Sequence, residues 1–288
     1  MSVRSFSRKH HARPRDIHAA LARFGYGARG MVYLIIGFFA LAAALGARAR
    51  PAGSGDIFLA LINRPLGAVL LAALAAGLLC FAAWRTLQAV KDIDRHGRST
   101  RGLLRRALYG ANALFYLGFA AWAAAVAVGL SRSAGGEREV HSWTAWLMHM
   151  PLGRWLVGIT GAIIVVTAFG IGTRAFERRS DRHLDLPPRR RWWADALFRF
   201  GEAARALVFL LIGIFVVFAA VAYRATDAKG LPGALHTLQQ QPSGWLALAV
   251  TALGLIAFGL FQLVEAAFRR VDTVRRHLPS AVTSATAR

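Results

Sequence analysis

The sequence predicts an all-α integral membrane protein whose six transmembrane helices form three parallel, pseudo-threefold helical-hairpin repeats. Three observations predict this. Hydrophobic residues make up 56% of the 288 positions, above the ~45–50% usual in soluble domains, and the excess falls in six blocks: Met31–Leu45, Leu66–Trp84, Leu108–Leu130, Leu152–Ile171, Ala203–Tyr223 and Trp245–Val264. A short pattern recurs: Arg23-Phe24-Gly25-Tyr26-Gly27-Ala28-Arg29 returns 83 residues later from Arg106 and a further 93 residues later from Arg199. Finally, the cations alternate between connecting segments. The segments 1–27, 85–106, 173–202 and the C-terminal tail hold 26 of the 36 Lys and Arg, whereas the other three connections hold 7. In lipid every backbone amide needs an internal partner, so blocks of ~20 apolar residues read as helices. The charge split follows the positive-inside rule and puts both termini in the cytoplasm of a bacterial inner membrane.

The elements follow in order. Residues 1–15 are a basic tail expected to lack structure. Repeat 1 covers 16–95, with spans at about 28–46 and 66–84. Repeat 2 covers 96–182 (107–130 and 152–172), and repeat 3 covers 183–272 (203–223 and 244–264); 273–288 is a second tail. The block Met31–Leu45 reads as a retained first span, since the matching blocks of the other copies are internal. Each copy starts with a short amphipathic approach: Ile17, Ala20, Leu21 and Phe24; Leu103, Leu104 and Ala107; Trp193, Leu197 and Phe200. Apolar at helical spacing, these are expected to lie along the inner membrane surface. The alternative is a direct extension of the span helix.

Each outer loop ends on a proline, Pro65, Pro151 or Pro242, which marks the start of the return helix. The apolar stretches before them, Ile57–Ile62, Trp143–Met148 and Leu235–Leu238, suit short interfacial helices, and Trp143, Trp146 and Trp155 suit an aromatic belt. Ala68, Ala72 and Ala76, with Gly158, Gly161, Gly254 and Gly259, are small residues that would let return helices approach closely.

Several function classes find no support. A net charge of +22 would suggest nucleic acid on a soluble chain, but topology accounts for it. Gly25-x-Gly27-x-x-Gly30 matches the dinucleotide fingerprint as a string, yet a membrane span follows it and no strand precedes it. The one cysteine, Cys80, lies inside a span. No histidine stands mid-span, so paired axial haem ligands are lacking, and His141, Glu139 and His149 have no recognised metal spacing. No nucleophile–base set is visible, and no cofactor is called for.

What remains is polar chemistry where the spans meet the arginine-rich segments. Arg29, Asn112 and Arg205 begin the outward spans; Arg85 and Gln88, Arg174 and Glu265 close the return spans, with Gln88, Arg174 and Glu265 each 23 positions after its proline. They form a candidate polar vestibule or lipid-phosphate site, against the plainer expectation of snorkelling side chains and structural pairs at the interface. Arg205 has two carboxylates within reach, Glu202 and Glu265. The expected partners are membrane lipids with anionic headgroups at the cytoplasmic face, and a membrane-protein partner. The expected function is a non-enzymatic membrane protein acting through those contacts, the alternative being a passive channel or carrier through the junction of the hairpins.

The run Arg23–Gly30 followed by Val32-Tyr33-Leu34-Ile35-Ile36-Gly37, with Trp84-Arg85 and Gln88-Ala89 closing the copy, resembles the bacterial family called domain of unknown function 1206. The resemblance covers about Ala20 to Asp272. It implies three tandem two-helix units in one membrane protein, and no catalytic residues. Copies one and three match it well. Copy two departs: Asn112 stands for the arginine, Leu108 for the first glycine, and Gly170-Ile171 for Trp-Arg.

Overall fold

The computed structural model describes residues 14–46, 67–92, 97, 99–130, 137–176 and 191–268. Among them are eight α-helices: α1 Pro14–Ala44, α2 Gly67–Lys91, α3 Thr100–Ala127, α4 Glu137–Met148, α5 Gly153–Phe176, α6 Arg191–Ala222, α7 Leu231–Gln239 and α8 Gly244–Phe268, with a 3-10 turn at Ala225–Asp227. Six of them, all but α4 and α7, are long and apolar enough to cross a membrane. The chain is a six-span membrane protein of three like-oriented helical hairpins, α1–α2, α3–α5 and α6–α8.

The approach segments are not separate surface helices. α1, α3 and α6 run unbroken through them, because no proline or cap interrupts the run before the span begins; this corrects the expectation of helices lying along the membrane. In copy three, Ala194 and Phe261 are buried together, with Trp193, Leu197, Phe198 and Val264 packed around them. α3 starts at a Ser99 cap, whose Oγ accepts from the Gly102 amide at 3.2 Å.

The outer segments are helical as α4 and α7, while Ile57–Ile62 and Pro65 lie outside the described residues. Pro151 and Pro242 sit in tight turns two residues ahead of the return helices, not in their first turn. The turns carry Leu152 and Ser243 at positive φ (63° and 59°), and each helix then begins on glycine. Trp143 and Trp146 stand edge to face at 5.6 Å and are exposed, as is Trp155.

The helices form a ring. Each return helix lies along the outward helix of the next copy: α2 on α3, α5 on α6, and α8 back on α1. The register of these joints repeats. A Cβ added to Gly27 would lie 3.9 Å from the Ala266 Cβ, and one added to its counterpart Gly110 would lie 3.9 Å from the Ala89 Cβ. Gly37 sits over Ala252 and Ile256, and Gly213 over Gly161 and Val165. Gly30 and Gly259 face each other so closely that a Cβ on either would come within 2.9 Å of the other's carbonyl oxygen. Backbones meet this closely only where side chains are small. Two arginines clip these joints at opposite ends. The Arg106 Nε donates to the Ala89 carbonyl at 2.7 Å, at the end of α2, and the Arg154 Nε to that of Ala220 at 3.0 Å, at the end of α6.

Within a copy the outward and return helices also cross, but only in copies one and three. Gly25 lies on the backbone of Phe81, and Gly201 on that of Phe258; an added Cβ would fall 2.6 Å from the phenylalanine Cα in both. One turn further, Gly77 meets Ala28 and Gly254 meets Ala204. In copy two the matching positions are Leu108 and Thr167, then Ile163 and Ala111. α3 and α5 share no packed interface, and Leu108 and Ile163 are exposed. The ring is therefore open at one seam. α3 and α5 bury 28% and 22% of their most apolar stretches, against 61% for α8.

The small-residue reading holds for Gly161, Gly254 and Gly259, and Gly158 stands 3.6 Å from Ala220 by the same measure. It fails for Ala68, Ala72 and Ala76, which are exposed. The buried stripe of α2 is Gly67, Leu71, Leu74, Ala75 and Leu78, one position round the helix, because four-residue spacing alone does not say which face turns inward. Gly25, Gly27 and Gly30 lie inside α1 with no strand among the described residues, so the dinucleotide reading has no footing.

Candidate functional site

The outward helices carry a repeated face. Position 26 of copy one, three residues before Arg29, holds tyrosine, and position 33, four residues after it, holds another. The matching sets are Tyr109, Asn112 and Tyr116 in copy two and Glu202, Arg205 and Phe209 in copy three. Spacings of three and four residues stack side chains along one helix face. The return helices supply Phe81 and Phe258 at the glycine crossings, then Arg85 and Gln262 one turn on. Because Gly25 and Gly201 let each phenylalanine come up against the outward helix, these side chains converge.

They build a ladder in which guanidiniums alternate with phenyl rings. Arg85 lies 4.9 Å from the Phe81 ring centre and Arg29 5.2 Å from it; Arg29 lies 5.1 Å from the Phe258 ring and Arg205 4.3 Å from it. Tyrosines close the sides. Tyr116 and Tyr33 stand 5.6 and 5.8 Å from Arg29, Tyr33 5.6 Å from Arg205, and Tyr109 5.2 Å from Arg85. The Tyr33 ring thus faces both Arg29 and Arg205. A cation over a ring face contributes about 2 kcal/mol or more when water is excluded. Arg29 is 6% exposed and Arg205 8%, so these contacts are dry. The rings also brace one another, with Tyr33 on Phe258 and Phe81 on Tyr116, both at 4.7 Å.

Charge does not balance here. The Arg205 Nη1 pairs with Glu202 at 3.0 Å in a buried salt bridge, so of the two carboxylates within reach Glu202 makes the pair. Arg85 donates to Gln88 Oε1 at 3.0 Å. Among the described residues, three guanidiniums thus meet one buried carboxylate. The Nε groups of Arg29, Arg85 and Arg205, and the Gln262 Nε2, have no hydrogen-bond acceptor among the described residues although all four atoms are buried. Buried donors left this way are costly.

Arg29 stands ~22 Å along α1 from Ala44, and Arg205 ~25 Å along α6 from Ala222, at ~1.5 Å per residue, which against ~30 Å of hydrocarbon puts both near one end of their spans, yet both are buried. Both side chains turn into the bundle, which corrects the snorkelling expectation: their stems are enclosed by facing helices and cannot reach out to water.

Of the sequence-derived candidates, Arg29, Arg205, Arg85 and Gln88 come together. Asn112 lies on the α3 face between Tyr109 and Tyr116, with its Oδ1 buried and unbonded. Glu265 is half-buried one turn beyond Gln262. Arg174 is in α5, and its side chain lies outside the described residues. The ring residues Tyr33, Tyr116, Phe81 and Phe258, and the donor Gln262, were missed. Lining up the copies would have found Tyr33 and Tyr116, since an aromatic follows each of Arg29, Asn112 and Arg205 by four residues. Among the described residues no three His, Cys, Asp or Glu converge on a metal-sized site.

Comparison with known proteins agrees with this threefold plan. The model of the family described as Domain of Unknown Function (DUF1206) matches residues 24–92, 107–178 and 200–269. The chain belongs to the DUF1206 family. A curated relative, the uncharacterized protein YxxB of Bacillus subtilis (strain 168), is 34% identical over 252 residues, covering 86% of this chain and 90% of the relative. No solved structure matches. Each DUF1206 match holds one hairpin, and each takes in one copy of the face described above.

Proposed function

We propose that this DUF1206 protein is a non-enzymatic protein of the bacterial inner membrane, with both termini in the cytoplasm, that acts by holding anionic lipid. The observation that carries the reading is the buried excess of guanidinium over carboxylate in the half of the bundle nearer the arginine-rich connections. A cation excess inside a low-dielectric bundle calls for an anion, and the anions abundant at such a depth are lipid headgroups. The basic segments at the same end would gather those lipids, each near-surface cation contributing ~1 kcal/mol. A passive channel or carrier would need an open junction between the hairpins. Phe81, Phe258, Tyr33 and Tyr116 stand over the guanidiniums at that junction, an arrangement that favours a held anion over an open path, so the lipid reading is the better supported.

Two measurements test it. Reporter fusions after Pro187 are expected to report the cytoplasm and fusions after Ser133 the opposite side. Purified protein is expected to retain anionic over zwitterionic lipid in native mass spectrometry, with less retained when Arg189, Arg190 and Arg191 are all changed to Gln. The first two of these arginines lie outside the described residues. Equal retention of both lipid classes by the unaltered protein would refute the reading.

A further inference from the structure

We propose that the guanidinium ladder is a specific phosphoryl-binding site, built inside the bundle and distinct from the basic surface. This deepens the lipid reading at the same end of the molecule, but it rests on the buried donors and not on the loop arginines.

The argument starts from unmet bonding. Arg29, Arg205 and Gln262 are each more than nine-tenths buried, and each presents an N–H group with no acceptor: the two Nε atoms and the Gln262 Nε2. Gln262 stands one turn along α8 from Phe258, whose ring lies 5.1 Å from Arg29, and it packs on Gly30, the residue after Arg29. Arg85, only half-buried, adds a fourth such donor at the end of the ladder nearer the end of α2. Donors with no acceptor, together with a cation excess, specify a ligand that brings acceptors and negative charge. Guanidinium forks match the tetrahedral oxygens of a phosphoryl group and hold it by paired hydrogen bonds.

The ring walls set the rest of the specificity. Phe81 and Phe258 fix the spacing of the three guanidiniums, and the Tyr33 ring faces both Arg29 and Arg205, so a phosphoryl group held by those two arginines would lie beside it. At the matching positions copy two has no cation: Asn112 replaces the arginine, Thr167 the phenylalanine, and Ile171 stands where Arg85 and Gln262 stand. The site is therefore one-sided, formed by copies one and three with Tyr109 and Tyr116 as its far wall. The phosphoryl group is that of a lipid headgroup or of free phosphate.

The test uses full-length protein in detergent, with two ligands. Inorganic phosphate is titrated calorimetrically, and retention of phosphatidic acid against phosphatidylcholine is read by native mass spectrometry. The variants are Arg29→Lys, which keeps the charge and loses the fork, and Gln262→Leu, which removes one donor and no charge; the Arg189, Arg190 and Arg191 triple Gln variant is the surface control. We expect both ladder variants to weaken binding about tenfold, the effect of one hydrogen bond to a charged group, while the surface control still binds. Saturable binding of phosphate assigns a free anion, and retention of phosphatidic acid alone assigns a lipid headgroup; either supports the site. If Arg29→Lys does not fold, Gln262→Leu decides alone. Wild-type protein that takes up neither ligand overturns the proposal. So does binding that the surface control loses and the ladder variants keep, and that result would leave the broader lipid reading standing.

Discussion

Copies one and three close into tight hairpins, whereas copy two stands open, though all three use the same outer joints. Two registers separate them. Where copies one and three have Gly25 and Gly201 against a phenylalanine backbone, copy two has Leu108; where they have Gly77 and Gly254 against alanine, it has Ile163. In lipid there is no hydrophobic gain in bringing two helices together, so the closeness that small residues allow decides whether a crossing forms. The joints between copies keep small residues in every case: Gly37 over Ala252, Gly213 over Gly161, and the matching Ala120, buried at 4% exposure. Those joints form three times, and the inner crossing forms twice. The comparison also explains the site. Each closed crossing brings a phenylalanine up to an arginine, and the open copy has neither residue.

The largest expected effect comes from giving a closed copy the open copy's residue. Gly254→Ile forces a branched side chain into Ala204 and the α6 backbone. We expect a loss of about 3 kcal/mol or more, seen as a melting temperature lower by on the order of 10 °C in detergent. An unchanged melting temperature would mean the crossing tolerates bulk. Next comes the ion pair: Glu202→Gln leaves Arg205 buried without its carboxylate and is expected to cost about 3 kcal/mol, whereas a loss under ~1 kcal/mol in denaturant unfolding would show that the rings alone hold it. Arg106→Met and Arg154→Met each remove a clip onto helix-end carbonyls. A loss of about 1 kcal/mol apiece is expected, additive in the double variant because the two clips sit at opposite ends. Smallest is Ala72→Leu, on the exposed face of α2, expected to stay within ~0.5 kcal/mol; a larger loss would put that face inside an interface.

Much of this was readable in the chain. The six spans follow from block length, and the three copies from the recurrence of Arg23–Arg29. Leu108 already marked copy two as different. Ile163 did not, because its meaning appears only when return helices are counted from their prolines and set against Gly77 and Gly254. The polar residues were legible as types but not in direction. Arg29 at a span end reads as a snorkelling cation until the facing helices are known to enclose it. The inward stripe of α2 could not be chosen over Ala68, Ala72 and Ala76 for the same reason: a helix in lipid can hide any face, and its neighbours decide which. Tyr33 and Phe81 looked like ordinary apolar lining because rings serve lipid contact and cation contact equally well.

The central claim is that two side chains hold copy two open, and electron–electron resonance distances test it directly. Spin labels at Leu114→Cys on α3 and Ala162→Cys on α5, in a Cys80→Ser background, report the seam. Adding Leu108→Gly with Ile163→Gly is expected to shorten that distance as the helices move toward the ~8–10 Å axis separation of packed pairs, while labels across the joint between α5 and α6 stay put. A distance that does not change on adding the two glycines would contradict the account.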